Sequence, residues 1–482
     1  MKVFESTYQS TQTDLTIAQA QSAFRNGELT SVELVSACLE RAEAGKELNV
    51  YVTLDGEGAL DAAQRADDRR KNGQIMPPLS GIPIVIKDNI HTAGLRCTAG
   101  SPAFSHYIPN EDASTVHKLR EAGAIILGKT NMHELAFGVT GYNQAFNTGS
   151  GIGVRNPYDG SRVAGGSSSG SAAALGARMA LGSLGTDTGG SMRIPSSLNG
   201  CAALRPSAGR YANDGVIPIA ESRDTVGPMA LCMSDVALLD SIMTDEFDLP
   251  SIALNELRLG VPSECWQNLD EDTKELAQST LNKLKQHGIT FVPIDDAGLQ
   301  ALNEPVGFSV VIHEAYECMV KYLRDYNHDM DINQLKSKIG SPDVLSIYED
   351  WVIPRKMPSE NGLIDVQPLY EAAQNGGRQA LRERYQTLFT QHNIDALFFP
   401  TTAIVAPLAN AEANLPSNFE YLIQNTEPAA SAGLPCIQLP VGLGRTTGMP
   451  VGIELDGPQG SDRRLLAIGQ LLESIVGRLA RA

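Results

Sequence analysis

Polar caps and turn residues predict helices at the start of the chain. The capping-box pattern, in which a threonine begins a helix and pairs with Gln or Glu three residues later, occurs in Thr16-Ile-Ala-Gln19 and again in Thr30-Ser-Val-Glu33. Gly27 lies between the two boxes and is a natural helix end. We therefore predict two N-terminal helices, packed over the core of the protein.

From about residue 80 the pattern changes to short apolar runs that are rich in β-branched residues. Two of these runs are Ile82-Pro-Ile-Val-Ile86 and Ala124-Ile-Ile-Leu127, with a helical stretch from Ser114 to Glu121 between them. Strand-like runs return after Asp395, ahead of a terminal helix from about Asp462; they are Ala396-Leu-Phe-Phe399, Cys436-Ile-Gln-Leu439 and Val451-Gly-Ile-Glu-Leu455. The alternation predicts a mixed or parallel sheet that the C-terminal part of the chain completes.

Two long segments separate these runs. Residues 149 to 209 are rich in Gly and Ser, but the apolar stretches Ala172-Ala-Ala-Leu175 and Met179-Ala-Leu181 argue against a flexible linker. Residues 250 to 390 have the pattern of helices with acidic and aromatic surfaces, and we expect them to form a lid over the sheet. The whole chain, 1 to 482, is expected to form a single domain.

Composition narrows the range of partners and cofactors. An apolar share of 42% with 20% charged residues is typical of a folded globular protein, and a net charge of −18 argues against nucleic acid and membrane surfaces as partners. The chain shows neither a signal-peptide core nor a run of about 18 apolar residues, so we expect a cytoplasmic protein. The seven cysteines include no CxxC pair, and His133-Glu134 lacks the second His of an HExxH motif, because position 137 is Phe. We expect no disulfide, metal or organic cofactor.

Two motif matches lack the structural context that their function needs. Gly123-Ala-Ile-Ile-Leu-Gly-Lys129-Thr130 fits the phosphate-loop pattern, but its four central residues are apolar and a helix precedes it, so a buried strand is favoured. Gly166-Ser-Ser168-Ser-Gly170 fits the nucleophile elbow of α/β-hydrolases and would make Ser168 the nucleophile. That elbow must follow a buried strand directly, whereas here a turn-rich loop precedes it.

A third match carries a consistent chemistry. Gly165-Gly-Ser167 is followed, 24 positions after Ser167, by Ser191 in Gly185-Thr-Asp-Thr-Gly-Gly-Ser191-Met-Arg-Ile-Pro195. The two glycines before Ser191 allow a sharp turn that leaves the N–H groups of Thr188, Gly189, Gly190 and Ser191 open as oxyanion donors. One such donor can lower a reaction barrier by about 3 kcal/mol.

A serine nucleophile also needs a base, and no His lies near either serine in the sequence. Lys87 ends the apolar run that begins at Gly81, so a strand would carry it into the interior, where burial favours the neutral amine. The alternative is an ordinary surface lysine at a strand end.

Taken together, these segments resemble the amidase signature family. Lys87 lies in Gly81-Ile-Pro-Ile-Val-Ile-Lys87-Asp-Asn-Ile90, which resembles the segment of the catalytic lysine. The Gly/Ser-rich loop at 165–170 and the segment Asp187 to Pro195 resemble the two serine segments of the family. Further matches are Gly128-Lys-Thr-Asn-Met132, Arg223-Asp-Thr-Val-Gly-Pro228, Asn425 through Pro435 and Gly448-Met-Pro-Val-Gly452. Ala203 and Ser169 stand where the family often has glycine.

The resemblance implies a fold, a reaction and residue roles. The fold would be a single large α/β/α domain with a mixed central sheet surrounded by helices, with a core at about 60–245 and 390–482 and a helical lid at about 250–390. Ser191 would attack the carbonyl carbon, Ser167 on a cis peptide after Gly166 would relay the proton, and neutral Lys87 would receive it. Asp187 and Arg193 would support the loop.

The resemblance leaves the substrate open. Asn131-Met-His-Glu-Leu-Ala-Phe-Gly138, with Met132 assigned to substrate binding, and the stretch from Gly209 to Thr225 resemble hydrolases of arylacetamides such as indoleacetamide and mandelamide. This predicts hydrolysis of the C–N bond of a small apolar or aryl amide through an acyl-enzyme. A carbamate (urethane) or ester substrate, which the same three residues could cleave, is one alternative. A glutaminase subunit of an amidotransferase complex is another, and a homodimer is the default expectation.

Overall fold

Eleven strands line up in one mixed sheet, in a computed structural model that describes residues 12–146, 151–359 and 362–479. The strands found in these ranges are β1 (Tyr51–Leu54), β2 (Pro83–Lys87), β3 (Ile125–Thr130), β4 (Gly182–Asp187), β5 (Ala202–Arg205), β6 (Thr225–Ala230), β7 (Arg258–Pro262), β8 (Thr290–Ile294), β9 (Lys356–Ser359), β10 (Gly362–Asp365), β11 (Ala396–Pro400), β12 (Cys436–Leu443) and β13 (Pro450–Asp456). The order across the sheet is β1-β3-β2-β4-β6-β5-β12-β13-β11-β7-β8, and β9 and β10 form a separate hairpin.

Strand directions are mixed, as predicted. β2 runs parallel to β3 and β4, and β7 runs parallel to β8 and β11. All the other neighbouring strands of this sheet are antiparallel. The runs predicted as strands after Asp395 are found as β11, β12 and β13. Fold and topology are those of a single α/β domain.

Helices flank the sheet. In the described ranges they are α1 (Ile17–Asn26), α2 (Ser31–Ala44), α3 (Gly56–Lys71), α4 (Ser114–Glu121), α5 (Ser169–Gly176), α6 (Arg193–Asn199), α7 (Met233–Thr244), α8 (Glu271–Gln286), α9 (Leu299–Asn303), α10 (Gly307–Asp325), α11 (Ile332–Lys336), α12 (Pro342–Ile347), α13 (Gln367–Ala372), α14 (Arg378–Gln391), α15 (Pro416–Ile423), α16 (Glu427–Ala432) and α17 (Asp462–Val476). None of these helices combines the length and the apolar run that crossing a bilayer requires.

The two N-terminal helices begin and end as the sequence predicts. Thr16 and Thr30 each accept a hydrogen bond of 3.1 Å from the backbone N–H three residues later, and both capping boxes are complete. Gly27 adopts a left-handed conformation with φ 70° and ends α1. The predicted helix from Ser114 to Glu121 is α4, and the terminal helix begins at Asp462.

The segment from 250 to 390 differs from the prediction of a mostly helical lid. Its first part contributes β7, β8 and α8 to the main sheet and its flank. These two strands are short and carry Pro or Gly, so their alternation was too weak to separate them from the helices around them. The remainder, α9 to α14, is mainly helical, and α10 buries Ile312, Met319 and Leu323 against Phe104 and Phe137.

The topology brings the predicted catalytic segments to one edge of the sheet. Lys87 is the last residue of β2, and Asp187 is the last residue of β4. The two strands are parallel neighbours, with Ile86 opposite Leu184, and parallel strands end at the same edge. The end of β2 therefore meets the loop that follows β4, which contains Ser191.

Candidate active site

Lys87 is a fully buried lysine among oxygen atoms. Its Nζ lies 2.8 Å from Ser167 Oγ, 2.7 Å from Thr186 Oγ1 and 3.3 Å from the Thr186 carbonyl oxygen. The apolar strand β2 carries the side chain inward, as the sequence predicted, and its exposed fraction is 0%. The surface-lysine alternative is therefore wrong.

Burial favours the neutral form of the Lys87 amine. It lowers the pKa of Lys87 from 10.5 to about 7, although the carboxylates of Asp187 and Asp224 oppose the shift. At neutral pH a substantial fraction of Lys87 then has a free lone pair. Such an amine can accept a proton from the Ser167 hydroxyl, which lies within hydrogen-bonding distance.

Ser167 follows the Gly/Ser-rich loop, and the peptide bond between Gly166 and Ser167 is cis. Ser167 is fully buried, and its carbonyl oxygen accepts a 3.2 Å hydrogen bond from His133 N. The next residue, Ser168, donates its N–H to the Ser191 carbonyl oxygen at 3.0 Å. The two serine segments are therefore joined directly through their backbones.

The two rejected motifs have structural roles. Ser168 Oγ donates to Thr186 O at 3.0 Å and accepts from Thr186 N at 3.2 Å, so it is fully engaged inside the protein. Lys129, the lysine of the phosphate-loop pattern, is buried in β3 and lies 3.7 Å from Asp88. The prediction of a buried strand at that motif is confirmed, and Ser168 lacks the exposure that an elbow nucleophile needs.

Ser191 opens to a cavity. It is 7% exposed and lines this cavity together with Thr188 and Gly189. Gly190 has φ +139°, and a β-carbon at this position would collide with Thr426 Oγ1. Only glycine fits there, because both the backbone conformation and the space exclude a side chain.

The oxyanion prediction changes at one position. Gly190 N donates to Asp187 Oδ1 at 2.8 Å. This N–H is therefore not available to a substrate, because it already binds the carboxylate that holds the turn. Among the hydrogen bonds of the described residues, none takes the N–H of Thr188, Gly189 or Ser191. These three groups are available to a carbonyl oxygen that becomes negative.

A buried charge network supports the turn. Asp187 accepts from Arg193 through both carboxylate oxygens, at 3.0 Å each, and from Arg205 Nη1 at 2.9 Å. Its burial would raise the pKa of the carboxyl group, but Arg193 and Arg205 outweigh burial and hold the pKa below its usual range. Asp187 and Arg193 therefore have the positions expected of loop supports.

Behind Arg193, three more titratable side chains come together. Cys436, Glu454 and Asp456 place ligand-type atoms within 4.8 Å of one another, and Arg193 Nη1 donates to Glu454 Oε1. Glu454 Oε2 and Asp456 Oδ1 are buried and have no donor among the described residues. Burial raises the pKa of both carboxyl groups, that of Glu454 well above its ordinary value, although Arg193 opposes it. Burial therefore favours a protonated form of this pair over two carboxylates.

The cavity at Ser191 adjoins a larger one. The part at Ser191, called the inner part, has a volume of about 70 Å³, and the larger part, called the outer part, has about 260 Å³. The two parts share six lining residues, mostly apolar, which are Phe137, Gly138, Val139, Phe308, Ile347 and Phe419. Trp351 adds a further aromatic ring to the outer part, whose polar side contains His133 and Asp343, 3.0 Å apart. Ser191 therefore lies in a cavity whose lining is mostly apolar and aromatic.

Met132, predicted to bind substrate, lies elsewhere. It is fully buried in the same apolar cluster as Ala99 and lines neither part of the cavity. Phe137, from the same stretch of sequence, does line both parts. Sequence analysis missed Phe308 and Phe419, since no short motif surrounds them, and it gave no role to Glu427, although this residue lies within the matched segment from Asn425 to Pro435.

Comparison with known proteins agrees with this geometry. The sequence model of the family described as Amidase matches residues 33–466. The chain belongs to the amidase family. The resemblance inferred from the separate segments is therefore confirmed, and the protein is an amidase enzyme.

Named amide hydrolases are similar to this amidase over almost their whole length. Mandelamide hydrolase of Pseudomonas putida is 41% identical over 466 residues, which cover 96% of this chain and 92% of that protein. An indoleacetamide hydrolase of Agrobacterium vitis is 35% identical over 468 residues, covering 95% of this chain and 97% of that protein.

Solved structures agree with the fold. A crystal structure of an amidase superimposes with a TM-score of 0.83 at 30% identity, covering 96% of this chain and all of the other, 100%. The native peptide amidase of Stenotrophomonas maltophilia gives a TM-score of 0.78 at 26% identity and covers 97% and 98% of the two chains.

Proposed function

We propose that this amidase hydrolyses the C–N bond of small aryl amides through an acyl-enzyme, with Ser191 as nucleophile, Ser167 as proton relay and Lys87 as base. The observation that carries the proposal is the position of Lys87: a fully buried amine, its pKa lowered to about 7, lies 2.8 Å from Ser167 Oγ. The neighbouring segment contains Ser191, which faces the cavity. A base, a relay and an accessible hydroxyl are what acyl transfer by serine requires.

The proposed reaction has two halves. In the first, Ser191 Oγ bonds to the carbonyl carbon while its proton moves to Ser167 and the Ser167 proton moves to Lys87. The carbonyl oxygen becomes negative near the N–H groups of Thr188, Gly189 and Ser191. The C–N bond then breaks as the leaving amine takes the proton from Lys87 through Ser167. In the second half, water attacks the ester by the same proton path and releases the acid.

The hydrogen bonds around Lys87 are consistent with a neutral amine. A neutral amine has two N–H groups and one lone pair, and Lys87 Nζ has three oxygen neighbours. The Thr186 carbonyl can only accept, so one N–H points to it, and the second can go to Thr186 Oγ1. The lone pair is then left for the Ser167 hydroxyl, as the relay requires.

The lining of the cavity supports an aryl substrate. Four aromatic side chains line its two parts, those of Phe137, Phe308, Trp351 and Phe419. Aromatic rings pack well against a flat apolar ring. Two relatives are named for mandelamide and indoleacetamide, both of which are acetamides that carry an aromatic ring system on the carbon next to the carbonyl group.

A fluorophosphonate probe tests the nucleophile before any substrate is chosen. We expect one adduct, mapped to Ser191 by peptide mass spectrometry, and no adduct on the Ser191→Ala variant, which should also lose turnover. An adduct on Ser168 would contradict the proposal. Comparison of kcat/KM for matched aryl amide, ester and carbamate substrates then tests the leaving group, because a preference for the carbamate would point to a urethanase.

Other expectations from the sequence stay proposals. We place the enzyme in the cytoplasm, acting as a homodimer on a small molecule without a metal or organic cofactor. Sedimentation measurements would test the dimer, and metal analysis of active protein would test the absence of a metal requirement.

A further inference from the structure

The turn at residues 188–191, here called the oxyanion turn, has its carbonyl groups held by donors from other parts of the chain. In a trans peptide group the carbonyl and the following N–H point in opposite directions, so a donor that fixes the carbonyl also orients that N–H. The Thr188 carbonyl, which precedes the Gly189 N–H, accepts from Arg223 Nε at 3.0 Å. Arg223 is therefore in a position to orient the Gly189 N–H.

Charged donors hold two of the three peptide groups whose N–H is available. Besides the group held by Arg223, the Thr188 N–H follows the Asp187 carbonyl, which accepts from Arg205 Nη1. The Gly190 N–H, which binds Asp187, instead follows a carbonyl that accepts from the neutral hydroxyl of Thr426 at 2.6 Å. Arg205 also pairs with the Asp187 carboxylate, so Arg223 is the cleaner of the two arginines to test.

The Arg223 guanidinium is fixed in place by its other contacts. Nη1 donates to Gly307 O at 2.6 Å, and Nη2 donates to Glu427 Oε1 at 3.3 Å, so each of the three nitrogens has an acceptor. A β-carbon on Gly189 would lie 3.4 Å from Nη2, which places the guanidinium next to the peptide that it orients. A planar group anchored at three nitrogens has little freedom to rotate, so the carbonyl that it binds is held firmly as well.

The charge of Arg223 also affects the strength of the donor. Hydrogen bonds from ionised donors are about twice as strong as neutral ones, and linked hydrogen bonds polarise one another. A peptide group whose carbonyl accepts from a cation therefore becomes a stronger donor at its N–H. The Arg223 side chain is fully buried, whereas that of its partner Glu427 is 20% exposed, so water screens the carboxylate more than the guanidinium.

We propose that Arg223 is a positioning residue of the reaction: through the Thr188 carbonyl it orients the Gly189 N–H towards the substrate carbonyl oxygen and strengthens it as a donor. The inference rests on the proposed function, because it needs a negative oxygen at the oxyanion turn. Loss of a whole oxyanion donor lowers kcat by about a hundredfold to a thousandfold, and a donor that is present but poorly oriented should lose less, about tenfold to a hundredfold.

Arg223→Lys and Arg223→Gln test this role with 2-phenylacetamide as substrate. Lysine keeps the charge but has one nitrogen, so it cannot bind Thr188, Gly307 and Glu427 together in the same geometry, and glutamine keeps only a neutral donor. In both variants kcat should fall by about tenfold to a hundredfold while KM changes by less than about threefold. This split is expected because the hydrogen bond to the oxygen strengthens mainly in the transition state.

Two ketones separate the oxyanion donors from a general loss of fit. The trifluoromethyl ketone 1,1,1-trifluoro-3-phenylpropan-2-one forms a hemiketal with a serine hydroxyl, and its oxygen then becomes negative, whereas 1-phenylpropan-2-one binds as a neutral ketone. In both variants the Ki of the trifluoromethyl ketone should rise in proportion to the loss of kcat/KM, and the Ki of the neutral ketone should stay nearly constant. A merely structural role of Arg223 would weaken both ketones alike and would overturn the inference.

Arg178→Lys is the matched control. Arg178 is also a fully buried arginine that donates to backbone carbonyls, those of Leu175 and Gly176, but it lines neither part of the cavity. Its replacement should leave kcat and both Ki values unchanged. If the wild type neither hydrolyses 2-phenylacetamide nor binds the trifluoromethyl ketone, the proposed function itself fails. If it does both and the Arg223 variants match it, the function stands and only the role of Arg223 is refuted.

A measurement on the wild type covers the case in which neither Arg223 variant folds. The chain has four Thr-Gly pairs, at 140–141, 148–149, 188–189 and 447–448, so labelling Thr with ¹³C at the carbonyl and Gly with ¹⁵N leaves four carbonyl–amide correlations in the NMR spectrum. We expect the trifluoromethyl ketone to move the Gly189 amide proton downfield as it donates to the negative oxygen. If none of the four correlations moves, Gly189 gives no such hydrogen bond and the inference is overturned.

Discussion

Replacing Lys87 by Met should remove activity and also change how stability depends on pH. In the folded protein burial lowers the pKa of Lys87 from 10.5 to about 7, while the unfolded chain has the ordinary value. Between these two pKa values the unfolded state binds more protons, so the contribution of Lys87 to stability rises with pH across this window. At about 1.4 kcal/mol per pKa unit, the lowered pKa of Lys87 reduces the free energy of unfolding by roughly 4–5 kcal/mol at pH 7 and by about 2 kcal/mol at pH 9.

The methionine variant lacks this titration. Any packing change in Lys87→Met, including the lost partner of Ser167 Oγ, contributes equally at both pH values and cancels in the difference. We therefore expect the difference in the free energy of unfolding, variant minus wild type, to be about 2 kcal/mol larger at pH 7 than at pH 9. Reversible urea unfolding of both proteins at the two pH values measures this difference. A stability difference independent of pH would refute the lowered pKa, and with it the neutral base.

Three further predictions concern the acid limb and the buried polar groups. The value of kcat/KM should rise with pH through an apparent pKa of about 7, because neutral Lys87 is the active form. The same apparent pKa measured with a second substrate would exclude titration of the substrate as the cause. The free energy of unfolding of Glu454→Gln should lie within about 1 kcal/mol of wild type, because glutamine keeps a donor for Asp456 and an acceptor for Arg193. In Glu454→Leu, urea unfolding should give a free energy lower by about 3 kcal/mol or more. Ser168→Ala should lose about 1–3 kcal/mol of stability, because Thr186 N loses the acceptor Ser168 Oγ and Thr186 O keeps Lys87 but loses the Ser168 hydroxyl; mass spectrometry should still find the fluorophosphonate adduct on Ser191.

Local chemistry in the sequence was enough to predict much of the site. Lys87 ends an apolar strand, and a strand buried on both faces leaves its last side chain inside. The two glycines before Ser191 predicted a turn with free N–H groups, and within the part of the chain that the structure describes, no hydrogen bond engages three of the four groups. Capping boxes fixed the starts of α1 and α2, because both capping partners lie within four residues of each other.

Long-range contacts could not be predicted in the same way. The N–H of Gly190 is taken by Asp187, a choice that depends on how Arg193 and Arg205 orient the carboxylate. Met132 was assigned to substrate because of its segment, but residues only a few positions apart can face the core or the cavity, and here Phe137 is the one that faces it. Contacts between residues over 200 positions apart, such as Arg223 with Glu427, leave no local pattern.

The arginines beneath the loop also explain how a carboxylate and a neutral lysine can be close together. An ionised Asp187 favours the charged form of Lys87 and opposes the loss of its proton. Arg193 and Arg205 form ion pairs with that carboxylate, so their positive charges offset much of its effect on the lysine. Burial raises the pKa of Glu454 in the same region and so disfavours a second negative charge there. The network that orders the oxyanion turn is therefore also the reason that burial can control the protonation of Lys87, and the two functions cannot be altered independently.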